Sequence, residues 1–542
     1  MGNDVSKVNR GANDCEQPKA FIQSISFNDG TVLELEPNSI IVFVGANNSG
    51  KSQVLRDIEK SFQDSAAKTS IVISHLSYQL SGTIDEAFLK KHFRFNEHGY
   101  WEPFGVGGSY DKDSIVYDWD RSKMPDVLRS FLVKRISTEM RLKVSNAIQR
   151  SDYSSLSHPI YKISNSESLA SQVSAYFMQA FGEELIVNRN DFKTVSLHVG
   201  PAPNKQSYTI DRQDEYYAIV AALPKLQNQG DGMRSFASIL LDTFTSEYSI
   251  TLIDEPEAFL HPPQARILGK MLASNNPEER QLFISTHSED FLQGLLDADN
   301  EHVTIVRINR VGNTNNMNVL SNDRIEKLWT NPLLRYSNIL SGLFHEKVVV
   351  CESDYDCLFY QAIMNAIYEN KGEIVPDILF THCGGKSRAK DVIGALKAVN
   401  VPVVAICDFD LLNSSHVFRP LIEAFGMNWE TLFASNMEAF YNSVNTRKSK
   451  EANVWKVLKR TGKAGLDGQE PALYEAVEAS CKKAGLYIVP CGEMECFDKT
   501  VNKEKKEWVY HILENYDLAI DSKLEGARSF IQSVVDFKPS LF

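Results

Sequence analysis

The sequence predicts an α/β protein of two consecutive units, each built on a mostly parallel sheet, and three observations predict it. A glycine-bracketed loop of the kind that cradles phosphate follows a wholly apolar run near the N-terminus. Short apolar runs ending in carboxylates alternate with helix-patterned segments along the rest of the chain. Finally, 542 residues exceed what one core usually holds, about 250–300.

Composition narrows the classes. With 43% hydrophobic and 23% charged residues the chain can bury ordinary globular cores. No apolar stretch reaches the roughly 18–20 residues that cross a bilayer, so no membrane partner is expected. The eight cysteines, at 15, 351, 357, 383, 407, 481, 491 and 496, lack paired CxxC spacing, which points to a reduced, cytoplasmic protein. A net charge of −13 argues against coating nucleic acid over the whole surface, but leaves room for a local basic channel.

The first unit is justified by four motifs. The apolar strand 40–44 runs into Gly45-Ala46-Asn47-Asn48-Ser49-Gly50-Lys51-Ser52, and a helix bearing Val54, Leu55 and Ile58 follows. Gly45, Asn48 and Gly50 let backbone N–H groups turn onto phosphate, Lys51 reaches the β and γ oxygens, and Ser52 is placed to ligate Mg²⁺ of bound ATP. A second apolar strand, 248–253, ends in Asp254-Glu255-Pro256-Glu257: Asp254 to hold Mg²⁺ through water, Glu255 to orient or deprotonate the attacking water. A third, 281–286, ends at His287, which either senses the γ-phosphate or serves the structure alone. In Gln229-Gly230-Asp231-Gly232-Met233-Arg234-Ser235, Gly230 and Gly232 open a helix, and offer N–H groups to an anion or simply cap it. A phosphate-binding motif so far along the chain from the first implies a composite site shared by two subunits, hence a homodimer or higher homo-oligomer.

The order GANNSGKS, QGDGMRSF, TLIDEPEAFLHPPQ, ISTHSEDF resembles the ABC-type ATPase heads of the RecF and SMC group, over about residues 20–310. QGDGMRS stands where their signature stands, and EPEAFLHP looks like their extended Walker B. Gln79 is the candidate for the glutamine with which such heads sense Mg²⁺. Between the motifs, residues 80–130 (with HGYWEPFGVGGSY) read as irregular surface. Residues 124–185, with Val127, Phe131, Leu132, Leu169, Val173, Tyr176 and Phe177 at helical spacing, read as a helical insertion and a possible dimer contact. No heptad run is sustained, so no long coiled coil is expected.

After a junction near 330–345, the strand 347–351 ends in Glu352-Ser353-Asp354-Tyr355-Asp356, a helix follows, and the strand 401–407 ends in Asp408-Phe409-Asp410. Carboxylates at the ends of parallel strands share one crevice, where like charges are costly unless a divalent cation neutralises them. Glu352, Asp408 and Asp410 are hard oxygen donors suited to Mg²⁺ or Mn²⁺ and to phosphodiester cleavage, although strand-end acids also serve as helix caps. Asp356 either supports the metal or caps its helix.

VVVCESDYD and AICDFD resemble the glutamate and DxD motifs of a Toprim domain, with Ser353 in place of the usual glycine. An ABC-type head followed by a Toprim domain is the arrangement of the OLD (overcoming lysogenization defect) family, which includes the A subunit of the Gabija anti-phage system and retron-linked effectors. The resemblance divides the chain into an ATPase domain, 1–335, and a Toprim nuclease domain, 345–542. It implies a further acidic metal ligand, Glu495 in preference to Glu493, and a catalytic lysine, Lys523 in preference to Lys499, Lys503, Lys505 or Lys506. It also implies an ATP-regulated, metal-dependent DNA endonuclease in anti-phage defence, with a defence partner protein or reverse-transcribed nucleic acid as further partners. The stretch 447–463, with Arg447, Lys448, Lys450, Lys456, Lys459, Arg460 and Lys463 around Trp455, is either a DNA contact or a solvated helix face. The alternatives are a RecF-like repair ATPase without nuclease activity and a nucleotide-gated scaffold acting through a partner.

Overall fold

The computed structural model describes residues 17–62, 70–104, 107–150, 158–201, 203, 213–312, 314–320, 340–448 and 453–538. The chain forms two compact units: 1–44 with 48–322, and 323–542 with the loop residues 45–47. Of the 330–345 junction, residues 330–339 lie outside the described residues.

In the first unit the strand Ile40–Val44 has five consecutive buried residues. That pattern belongs to a strand covered on both faces, and such strands are parallel. It lies between Gln281–Ser285 and Val303–Val311, both parallel to it. The sheet continues through Ile250–Asp254 to Val133–Ile136 on one side and Thr314–Leu320 on the other. Phosphate-loop strand, histidine strand and acidic strand are thus side by side, and their C-terminal ends open on one edge. A separate antiparallel sheet pairs Lys19–Phe27 with Val32–Glu34 and Ile73–Ser81.

The intervening segments differ from the sequence expectation in two ways. Residues 80–130 are not irregular surface: Glu86–His92 and Lys112–Asp120 are helices, and Phe93, Trp101 and Trp119 are buried in the core of the unit. The aromatic residues that looked like loop decoration are core filling. The 124–185 segment is not purely helical either. Its helices Asp126–Leu132, Thr138–Val144, Pro159–Ser164 and Glu167–Phe181 are interrupted by Val133–Ile136, whose two apolar ends are buried at the edge of the main sheet.

His92 sits between the rings of Phe88 and Phe131, 4.6 and 5.1 Å between centroids. Burial pushes its imidazole down to about 4. The folded state therefore binds this proton less readily than the unfolded chain, so the stability it supports is complete above about pH 6.5 and is lost as pH falls toward 4. In urea unfolding at about pH 7.5 and pH 5, the wild type should lose about 1–2 kcal/mol more than His92→Phe; equal losses would contradict this reading.

The second unit is a four-stranded parallel sheet in the order Ile378–His382, Lys347–Cys351, Val403–Cys407, Leu486–Ile488. The helices Asp354–Lys371, Lys505–Asn515 and Glu525–Asp536 share one core with it, around Phe359, Trp508 and Ile531. The buried Lys347 ammonium donates to the carbonyls of Val534, Val535 and Phe537, tying the last helix to the first strand of the sheet. All seven described cysteines are free. Among the described residues no helix is long and apolar enough to cross a membrane.

Candidate nucleotide site and carboxylate cluster

The phosphate loop turns through Gly45, Asn48 and Gly50, with φ of 145°, 61° and 107°. Gly50 caps the helix Lys51–Ser61. A β-carbon there would be strained, and would come within 2.8 Å of Asn315 Nδ2, which donates to the Ser49 carbonyl. Lys51 is buried at the first helical position, and the Ser49 hydroxyl is buried with no hydrogen-bond partner. An orphaned donor beside helix-start N–H groups fits a phosphate oxygen. Ser52 follows, half-buried, on the first turn.

Asp254 ends its strand and accepts a short hydrogen bond from Ser285 Oγ on the neighbouring strand. Glu255 is held by its N–H to the Ser285 carbonyl at 2.9 Å, and its φ of 48° is left-handed, a conformation rare for a residue with a β-carbon. His287 lies beside it, Nδ1 to Glu255 Oε1 at 3.5 Å. Glu257 is buried, and its Oε1 accepts from Thr286 Oγ1 at 2.8 Å and from the His287 N–H at 2.9 Å, with His287 Nδ1 at 3.3 Å. Burial pushes the Glu257 carboxyl upward. Glu255, Glu257 and His287 therefore form one group. Gly230 caps the helix Asp231–Thr245 with open space around it. Gly232 serves a close approach, since a β-carbon would stand 2.7 Å from the Phe259 carbonyl oxygen. Gln79 is exposed and its amide is engaged by Gln23.

In the second unit Glu352 and Asp408 follow the adjacent strands Lys347–Cys351 and Val403–Cys407. Glu352 Oε1 accepts the Asp408 N–H at 3.2 Å. Burial, with Asp410 and Asp356 nearby, pushes Glu352 up to about 7. Asp408 rises well above the usual carboxylate range through burial, then through Glu352, Asp356, Asp410 and Glu493. Asp410 is paired with Lys386 at 2.9 Å and Lys459 at 3.5 Å, and Lys459 also lies 3.5 Å from Glu493. Asp356 caps its helix: Oδ2 accepts the Ser353 N–H and hydroxyl, both at 2.9 Å. Ser353 makes the reciprocal cap at an ordinary φ of −133°, so its backbone does not require glycine. Glu495 accepts the Lys505 N–H at 2.7 Å, and its charge adds to the burial that pushes Asp356 and Glu493 upward.

Lys523 does not join them. Its ammonium donates to Thr500 Oγ1 at 3.1 Å and Tyr516 Oη at 3.3 Å, with Asp498 at 3.7 Å. The lysines at the cluster are Lys386 and Lys459, brought there by a turn and by the helix Val454–Thr461. Among the described residues no three His, Cys, Asp or Glu side chains converge as a metal-ligand set. Asp410 faces lysines, Asp356 its own helix start and Glu352 a backbone N–H. The donors are nonetheless all carboxylate oxygens, the type a hard cation takes, and burial first and neighbouring carboxylates second hold Glu352 and Asp408 above the usual range.

Residues 143–292 match the family model described as AAA domain, putative AbiEii toxin, Type IV TA system. The matched residues lie in the N-terminal unit, in the same sheet as the strand that leads into the phosphate loop. No curated protein matches the sequence. Solved structures similar to the chain include an SMC head bound to the C-winged helix domain of ScpA, with 13% identity and a TM-score of 0.35, covering 56% of this chain and 99% of that one. An Smc head with an extended coiled coil bound to the C-terminal domain of ScpA, from Pyrococcus furiosus, has 10% identity and a TM-score of 0.33, covering 57% and 98%. The SMC head domain from Thermotoga maritima has 12% identity and a TM-score of 0.30, covering 56% and 98%.

Three further residues of the N-terminal unit brace these groups. Asn315 braces the phosphate loop from the strand Thr314–Leu320, Glu257 braces His287, and Arg141 reaches the acidic turn from the helix Thr138–Val144. Only Glu257 had a local signal, an acid just beyond the acidic pair. The basic stretch 447–463 is largely paired within its own unit. Trp455 is buried and bonded to Asn445, and Arg447 pairs with Glu470. Lys459, Arg460 and Lys463 each face a carboxylate, and residues 449–452, including Lys450, lie outside the described residues, as does the side chain of Lys448.

Proposed function

We propose that the protein is an OLD-type DNA endonuclease, regulated by ATP and dependent on Mg²⁺ or Mn²⁺, acting in the cytoplasm as a homodimer or higher homo-oligomer in anti-phage defence. The observation that carries the nuclease reading is the meeting of Glu352 and Asp408 at adjacent strand ends, with both carboxyls raised by burial and then by neighbouring carboxylates that include Asp410. Glu352, Asp408 and Asp410 would hold the cation, and Asp356 and Glu495 shape their surroundings. Such a cation stabilises the attacking and leaving oxygens of phosphodiester cleavage. Lys386 and Lys459 replace Lys523 as the ammonium groups that offset charge on the scissile phosphate. In the ATPase domain, Ser52 and Asp254 would hold the Mg²⁺ of ATP, Glu255 orients water and His287 lies beside it. Nucleotide binding would favour one arrangement of the paired heads over another.

The test is plasmid DNA incubated with the full chain and Mg²⁺ or Mn²⁺, with and without ATP. Metal-dependent cleavage that changes with ATP is the expected result. Intact DNA with brisk ATP turnover would favour a RecF-like ATPase, and no activity until a partner protein is added would favour a scaffold.

A further inference from the structure

Arg141 is wholly buried, yet among the described residues no side-chain carboxylate hydrogen-bonds to it. Its Nη2 donates to Thr138 Oγ1 at 2.8 Å and to the carbonyls of Asp254 at 3.1 Å and Glu255 at 2.9 Å, while Nε and Nη1 have no hydrogen-bond partner. A buried guanidinium so incompletely satisfied is a poor source of stability; an apolar side chain of similar size is often as good or better. What it grips is specific. The two carbonyls flank the left-handed Glu255, and that backbone conformation leaves the Glu255 carboxylate beside His287.

We propose that Arg141 is a positioning residue for ATP hydrolysis, whose guanidinium clamps the Asp254 and Glu255 carbonyls and thereby fixes where the Glu255 carboxylate points. The clamp is itself tied to the signature helix: Ser238 Oγ donates to the Arg141 carbonyl at 2.5 Å, and Arg234 donates to the Leu142 carbonyl at 2.7 Å and to Ser145 Oγ at 3.2 Å. A shift of the helix Asp231–Thr245 thus reaches the Glu255 backbone through one side chain. The inference rests on the ATPase reading and is independent of the nuclease.

The experiment measures ATP turnover, binding of a fluorescent ATP analogue and thermal unfolding for the full-length wild type, Arg141→Met and Arg141→Lys. Expected in Arg141→Met is a fall in kcat of at least about tenfold with nucleotide affinity held within about twofold, because slight misplacement of a reacting group costs rate before it costs binding. Its unfolding temperature should match or exceed that of the wild type. Lysine, a single-point donor, should restore turnover only partly. Unchanged turnover in Arg141→Met overturns the inference. So does a loss of turnover matched by an equal loss of folded protein in both variants, which would make Arg141 merely structural. A wild type that binds ATP without hydrolysing it overturns the ATPase reading first.

Discussion

Lys51→Ala is expected to lower ATP turnover by roughly 100-fold or more and to weaken nucleotide binding, with the fold intact. The reason lies in where the ammonium sits. Lys51 is the first residue of its helix, buried directly after a loop that turns through positive φ at Gly45, Asn48 and Gly50. Charge-assisted hydrogen bonds to phosphate in such a shielded place are roughly twice as strong as neutral ones, and the P-loop lysine acts on the β and γ oxygens where charge develops. A factor of 100 corresponds to about 2.7 kcal/mol. The check is steady-state ATP turnover with a parallel binding titration and circular dichroism. A variant that hydrolyses ATP at the wild-type rate would remove the phosphate loop from the mechanism.

The second large effect is expected from Asp408→Asn. On the proposed nuclease reading DNA cleavage should fall by roughly 100-fold or more, since losing a group that would hold the cation removes electrostatic stabilisation that other groups cannot replace, while ATP turnover stays near that of the wild type. Stability should move the opposite way. The Asp408 carboxyl is buried among Glu352, Asp356, Asp410 and Glu493, so a neutral amide removes the cost of ionising a group there and the variant should melt higher than the wild type in chelator. Adding Mg²⁺ or Mn²⁺ should raise the wild-type melting temperature more than that of the variant. Thermal unfolding in chelator and in metal measures both. If Asp408→Asn melts lower in chelator and still cleaves DNA, the carboxylates are structural and the nuclease reading fails.

Legibility in the sequence tracked how local each feature is. The phosphate loop was readable because glycines with positive φ, a lysine and a hydroxyl must follow one another within a single turn. The acidic strand ends were readable because apolar runs followed by carboxylates announce themselves, and Asp254, Glu352 and Asp408 all stand at such ends. The aromatic stretch 93–119 was misread, because an aromatic residue between glycines looks alike whether it faces solvent or, like Trp101, a core. The resemblance implies Lys523, yet its partners are Thr500, Tyr516 and Asp498. Lys386 and Lys459, more than 70 positions apart, are the ones at Asp410.

By itself the chain determined the strands that carry the motifs, the glycine-bracketed loop after the first of them and the strand ends that carry acid, because these follow from periodicity and from backbone conformations only certain residues adopt. Tertiary structure alone decided which cations face those acids and which buried groups steer them: Asn315 under the phosphate loop, Glu257 under His287, Arg141 under Glu255, Lys386 and Lys459 on Asp410. These are pairings between distant segments. They depend on where helices and strands meet in space, and a distance of a few ångströms between residues far apart in the chain leaves no mark on local composition.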